Sequence, residues 1–172
     1  MFKRLKTEVV YDNNWICVHK DEVEFSDGAV REYGVVRHHS RSVVVVVESN
    51  GKFLFVNANR YVTNSKSLEM PSGIIEAGES AADAAYREVL EETGCELIDC
   101  TELFCYYPSN GTSDQIIHVA KGKTVDVDSF PDGVEVSSTV WLSAEEISMK
   151  ILNNVIDDGP TIIAWLYSMF LT

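Results

Sequence analysis

The chain has 172 residues and a mass of 19.2 kDa, a length that fits one domain. Acidic residues outnumber basic ones 27 to 14, for a net charge of −13 and an isoelectric point near 4.6. That balance argues against nucleic acid or a membrane surface as partner, because both demand clustered Lys and Arg. Residues 1–11 mix charged and apolar types, unlike a secretory leader, and the longest apolar stretch, 161–171, falls short of the roughly 20 residues a spanning helix needs. Cys17, Cys95, Cys100 and Cys105 form no C-x-x-C pair and no metal-ligand spacing with the four histidines, so they read as reduced, partly buried thiols of a cytoplasmic protein. The whole of 1–172 reads as one domain without internal repeat or linker.

In chain order, residues 15–25 and 30–36 predict two strands joined by the turn residues Ser26-Asp27-Gly28-Ala29. Residues 43–47, five valines, and the apolar run 53–56 flank Asn50-Gly51, a hairpin signal because both residues tolerate positive φ. The period then changes. Ser80 can cap a helix with Asp83 as its box partner, Ala81, Ala84, Ala85 and Val89 follow at helical spacing, and Gly94 ends it. Strand patterns resume at 97–107, 115–120 and 134–142. Two further helices are expected, one from Ser143 with Glu146, the other near Asp158 with Pro160 in its first turn. Strands interrupted by helices predict an α+β fold with a mixed sheet.

Charge is concentrated rather than spread. Residues 67–120 carry eleven acids and one base, Arg87. On the expected helix Glu88, Glu91 and Glu92 fall within an arc of about 100°. Each close pair of like charges costs a few tenths of a kcal/mol in an isolated helix. Such a face is commonly just solvated; it also suits a hard divalent cation, which takes carboxylate oxygens and water. Arg87 can pair with Glu91 at i+4 or with Glu79, and Gly73 and Gly78 lend flexibility to the segment that approaches the helix.

The string GIIEAGESAADAAYREVLEETGC over 73–95 resembles the Nudix box, with Gly73, Glu79, Arg87, Glu88, Val89, Glu91, Glu92 and Gly94 at its anchor positions. Cys95 alone departs, standing where the pattern has an aliphatic residue. Members of the Nudix hydrolase family cleave a nucleoside diphosphate linked to another moiety with Mg²⁺ or Mn²⁺. The resemblance implies an α/β/α sandwich: a mixed β-sheet packed between helices, with an N-terminal antiparallel strand region. By carry-over Glu88 and Glu92 would bind metal, Glu91 would be a further ligand or a base, and the Ser72 carbonyl would add a ligand. Arg87 and Glu79 would form the orienting salt bridge.

Flanking residues resemble the ADP-ribose pyrophosphatases within that family. Leu68-Glu69-Met70-Pro71-Ser72-Gly73 is similar to their lead-in, and Asn59-Arg60 to a segment that would put Arg60 near phosphate. Val30-Arg31-Glu32 is similar to an arginine-bearing stretch near substrate. Tyr107 to Asp114 resembles their proline-bearing loop, with Pro108 one position early and Asp114 in place of Glu, and residues 154–164 resemble their closing helix. The implied substrate is ADP-ribose or another nucleoside diphosphate sugar. Glu135 is the expected loop base, with Asp132 as fallback, and Trp15 is a candidate to stack on adenine. A homodimer with N-terminal strands at its interface is also implied. The alternatives are Nudix hydrolysis of a dinucleoside polyphosphate or an oxidised nucleoside triphosphate, and a non-catalytic ADP-ribose sensor.

Overall fold

The computed structural model describes residues 2–125 and 135–171. They form two compact units, one from the N-terminal residues through Arg41 with Tyr106–Ile116, the other from Ser42–Cys105 and the residues from Ile117 onward.

The first unit is an antiparallel sheet of β1 (Lys3–Asp12), β2 (Ile16–Glu24) and β3 (Val30–His38), in that order. Asn13 makes the first turn, its Oδ1 accepting from the backbone N–H of Trp15 and of Ile16 at 2.8 Å each. Asp27 and Gly28, at φ +79°, make the second, with Asp27 Oδ1 accepting from Ala29 N. The sequence does not reveal β1 as a strand. Every one of its residues is exposed, so no buried face imprints an alternation, and ladder hydrogen bonds to β2 hold it. The segment after residue 106 docks on β3, with Val36 N donating to Thr112 O at 2.8 Å.

The second unit is a seven-stranded mixed sheet. β4 (Arg41–Ser49), β5 (Lys52–Arg60), β8 (Asp99–Tyr106), β9 (Ile117–Lys123) and β10 (Val136–Ser143) run in the order β10-β5-β4-β9-β8. The short β6 (Ser65–Glu69) pairs with β5, and β7 (Ser72–Ile75) with β4. β4 and β9 are parallel; β4–β5, β5–β10 and β5–β6 are antiparallel. The β4–β5 turn has Asn50 and Gly51 at φ +51° and +73°, the double positive φ that its two-residue sequence signals.

Helix α1 (Ala81–Thr93) forms as its caps dictate: Ser80 and Asp83 complete a capping box, and Gly94, in the left-handed region, returns its N–H to Leu90 O. Its alanine face lies in a cluster with Val43, Val45, Val47, Leu54, Ile75, Cys95 and Ala120. Cys95 is fully buried there and fills the aliphatic position. Side chains alternate along a strand, so Phe53, next to Leu54, points the other way. It meets Trp165 edge-on at 4.8 Å, and Trp165 belongs to α3 (Gly159–Ser168). Helices therefore cover both faces of the mixed sheet, the expected sandwich. α2 (Ala144–Leu152) starts from the Ser143–Glu146 box and packs on β10, and α3 from Asp158, with Pro160 in its first turn. A 3-10 turn, Met169–Leu171, follows.

Candidate active site

Arg87 organises the acidic face of α1. Its Nε and Nη2 donate to the two oxygens of Glu79 at 2.9 Å each, its Nη1 to Glu88 at 2.8 Å and to Glu91 at 3.2 Å, and its Nη2 also to the Ile74 carbonyl at 2.8 Å. Both pairings expected from the sequence are made at once, together with two others. A guanidinium has five N–H donors. All five are engaged, four by carboxylate oxygens and one by a carbonyl. The guanidinium holds Glu79 down at a pKa of about 2, helped by the Glu76 N–H, and the carboxylates push Arg87 further up.

The second wall is the strap from Met70 into β7. Met70 N donates to Thr161 Oγ1 at 3.0 Å, Val45 N to Pro71 O at 2.9 Å, and Ser72 N to Glu92 Oε2 at 3.1 Å. Gly73 follows. It carries no left-handed φ, which corrects its expected role as a source of flexibility. A Cβ there would fall on the Glu88 carboxylate, so glycine is present to make room for that group. Gly78, at φ +92°, is the conformational glycine of the approach.

Burial raises the pKa of Glu88, and raises that of Glu92 to about 8 although the Ser72 N–H and the charge of Arg60 pull it down. Glu91 is exposed. Arg60 is tied by Nε (2.8 Å) and Nη2 to the two oxygens of Glu69, a buried carboxylate at the end of β6. Sequence reasoning misses this role of Glu69. Its partner lies nine residues away across a hairpin, and the five-residue β6 leaves no strand signal to reveal that register.

Among the described residues no three His, Cys, Asp or Glu side chains form a ready cage for a metal. The donor set nevertheless fits Mg²⁺, which keeps most of its waters and takes one or two carboxylates plus substrate phosphates. Glu88 and Glu92 supply two carboxylates that bear a burial cost while negative, and a cation relieves it.

The remaining candidates divide between the units. Glu135 is exposed on the approach to β10, its carbonyl accepting from Asn59 N at 2.9 Å, next to Arg60 in sequence. Asp132 lies outside the described residues. Arg31, Trp15 and Asp114 belong to the first unit. Arg31 pairs with Asp27 at 3.1 Å and lies 4.3 Å over the Phe25 ring. Trp15 is 62% exposed in the β1–β2 turn. Asp114 accepts from His38 N at 2.8 Å and from Arg37 at 3.2 Å, bonds that outweigh burial and lower its pKa, and so it fastens its loop to β3. An open cleft of about 380 Å³ lies beside it, lined by Tyr33, Arg37, Tyr107 and Asn110 among others.

Residues 37–166 match the family model described as NUDIX domain, and residues 2–36 match that described as nucleoside diphosphate sugar hydrolase N-terminal domain. The chain is 31% identical to the methanol dehydrogenase activator of Bacillus methanolicus, over 96% of this chain and 91% of that one. It is 28% identical to the ADP-ribose pyrophosphatase of Bacillus subtilis, over 78% of each. The crystal structure of an ADP compounds hydrolase superposes with a TM-score of 0.84 at 21% identity, covering 99% of this chain and 93% of that one, a likeness of fold.

Proposed function

The chain belongs to the Nudix family as a pyrophosphatase-like hydrolase, and on that premise we propose that it cleaves the pyrophosphate of ADP-ribose to AMP and ribose 5-phosphate. Another nucleoside diphosphate sugar is the nearest variant. The observation that carries this is the pairing, in one chain, of the NUDIX model with the nucleoside diphosphate sugar hydrolase N-terminal model. Neither dinucleoside polyphosphates nor oxidised nucleoside triphosphates account for that second match.

Glu88 and Glu92 would hold Mg²⁺ or Mn²⁺, with Glu91 and the Ser72 carbonyl as further ligands. Once bound, the ion neutralises diphosphate charge and lowers the pKa of the attacking water. Arg87, braced by Glu79, keeps Glu88 and Glu91 oriented. Glu135 is our candidate to accept the proton of the attacking water, and Arg60 to meet a phosphate oxygen once its hold on Glu69 is shared. Arg31, Trp15 and Asp114 are proposed for the nucleotide's other groups. The exposed apolar residues of the N-terminal sheet, among them Leu5, Val9 and Tyr11, support a homodimer that covers them.

Release of AMP is measured at fixed Mg²⁺ from ADP-ribose, UDP-glucose, GDP-mannose, a diadenosine polyphosphate and an oxidised dGTP. Preference for ADP-ribose, lost in Glu92→Gln, is expected. Preference for a triphosphate would keep the family and overturn the substrate; tight ADP-ribose binding without turnover would make the protein a sensor. The similarity to the methanol dehydrogenase activator favours a second reading, activation of a dehydrogenase. Its readout is the rate of a methanol dehydrogenase with and without this chain.

A further inference from the structure

We infer that Thr161, in the first turn of α3, is a positioning residue for the carboxylate pair Glu88 and Glu92, to which it has no bond of its own in the structure. The inference rests on the reading of those two carboxylates as cation ligands.

Three consecutive residues of the strap are each fastened to a different element. Met70 N–H is held by Thr161 Oγ1 on α3, Pro71 C=O by Val45 N–H on β4, and Ser72 N–H by Glu92 on α1. Met70 and Thr161 are both buried, with Thr161 fully inaccessible. No water reaches the Met70 N–H if the hydroxyl is removed, and a buried donor left unpaired drives the backbone to move. Movement at Met70 reaches Ser72 two residues on, and Ser72 sets the Glu92 carboxylate. Gly73 follows directly, and its missing Cβ is the space Glu88 occupies.

Thr161 is itself fixed. Its backbone N–H donates to Asp158 Oδ2 at 2.8 Å, the cap of α3. The start of the last helix is thus tied to the strap that lines the cation ligands, across 91 positions of sequence. Groups bonded directly to metal ligands typically change affinity by about 10–100-fold when removed; Thr161 acts through Met70 and Ser72, so the low end of that range is expected.

The test compares Mn²⁺ affinity, by electron paramagnetic resonance, in the intact chain and in Thr161→Val, Thr161→Ser and Glu92→Gln. Valine keeps the shape and removes the acceptor; serine keeps the acceptor. Expected are binding weakened about 10-fold in Thr161→Val, near-normal binding in Thr161→Ser, and a fall in kcat with little change in KM for the nucleotide. Weak binding in Glu92→Gln with intact binding in Thr161→Val would overturn the role of Thr161 alone. Intact binding in Glu92→Gln would overturn the cation reading, and this inference with it. Should Thr161→Val not fold, hydrogen exchange in the unaltered protein decides. Coupling is reciprocal, so Mg²⁺ must slow exchange at the Met70 amide. Exchange there unaffected by Mg²⁺ would overturn the inference.

Discussion

β1 and β4 are strands of similar length, ten and nine residues, in opposite circumstances. β4 carries five successive valines, Val43 to Val47, whereas half of the residues of β1 are charged. Those valines are all 1% exposed or less, and no residue of β1 is buried. β4 is central, covered on both faces, and stabilised by removal of apolar surface from water. β1 is an edge held by ladder hydrogen bonds and cross-strand pairs, each worth about 0.2–1 kcal/mol. Its ion pair Lys3–Glu24 is exposed and adds little. Where a chain buries its strands it can hold a functional group to a fraction of an ångström. Where it leaves them open it offers a surface. The catalytic candidates of the second unit sit beside the buried kind.

The contrast can be broken first at Leu54, fully buried between β5 and α1. Leu54→Ala is expected to cost about 2–5 kcal/mol in chemical denaturation. A smaller loss would mean that the core repacks around the cavity. Next comes a change that spares the core and removes function. Glu92→Gln should lower turnover by roughly 10²–10³-fold, while making the metal-free protein more stable at pH 8. The sign follows from its raised pKa. The neutral carboxyl is accommodated at no charge cost below about 4.5, and that stability is lost as pH rises to about 8, the folded value. Glutamine removes the loss, so a pH-stability curve for Glu92→Gln should be flatter across that window than that of the unaltered chain.

Arg87→Lys should cost about 10–100-fold in activity, since one ammonium cannot reproduce a five-donor fork; equal activity would show that charge alone suffices. The smallest effect belongs to β1. Val9→Thr should cost no more than about 1 kcal/mol, and the loss should grow on dilution, because the proposed homodimer covers this face. A loss independent of protein concentration would count against the homodimer.

Local chemistry makes α1 legible in the sequence: its cap, its glycine stop and the spacing of its carboxylates all lie within fifteen residues. The hairpin at Asn50-Gly51 is legible for the same reason. β6 and β7 are not, because five and four residues are too few to establish an alternation. The bond from Thr161 to Met70, the grip of Glu69 on Arg60 and the space that Gly73 leaves for Glu88 depend on which segments the fold brings together. Residue type can permit such contacts but cannot locate them. Arg87 shows the limit from the other side: spacing points to its partners one at a time, and only the folded geometry shows them engaged together.

That shared engagement bears on how the site tolerates genetic change. Glu79, Glu88 and Glu91 draw on one guanidinium, so the cost of losing any of them depends on whether the others remain. Substitutions there will be epistatic, and a double-mutant cycle between Glu79 and Glu91 should return a coupling energy of about 0.5–3 kcal/mol. A drifting copy of this sequence therefore meets these positions as a linked group, in which the first loss sets what the next one costs.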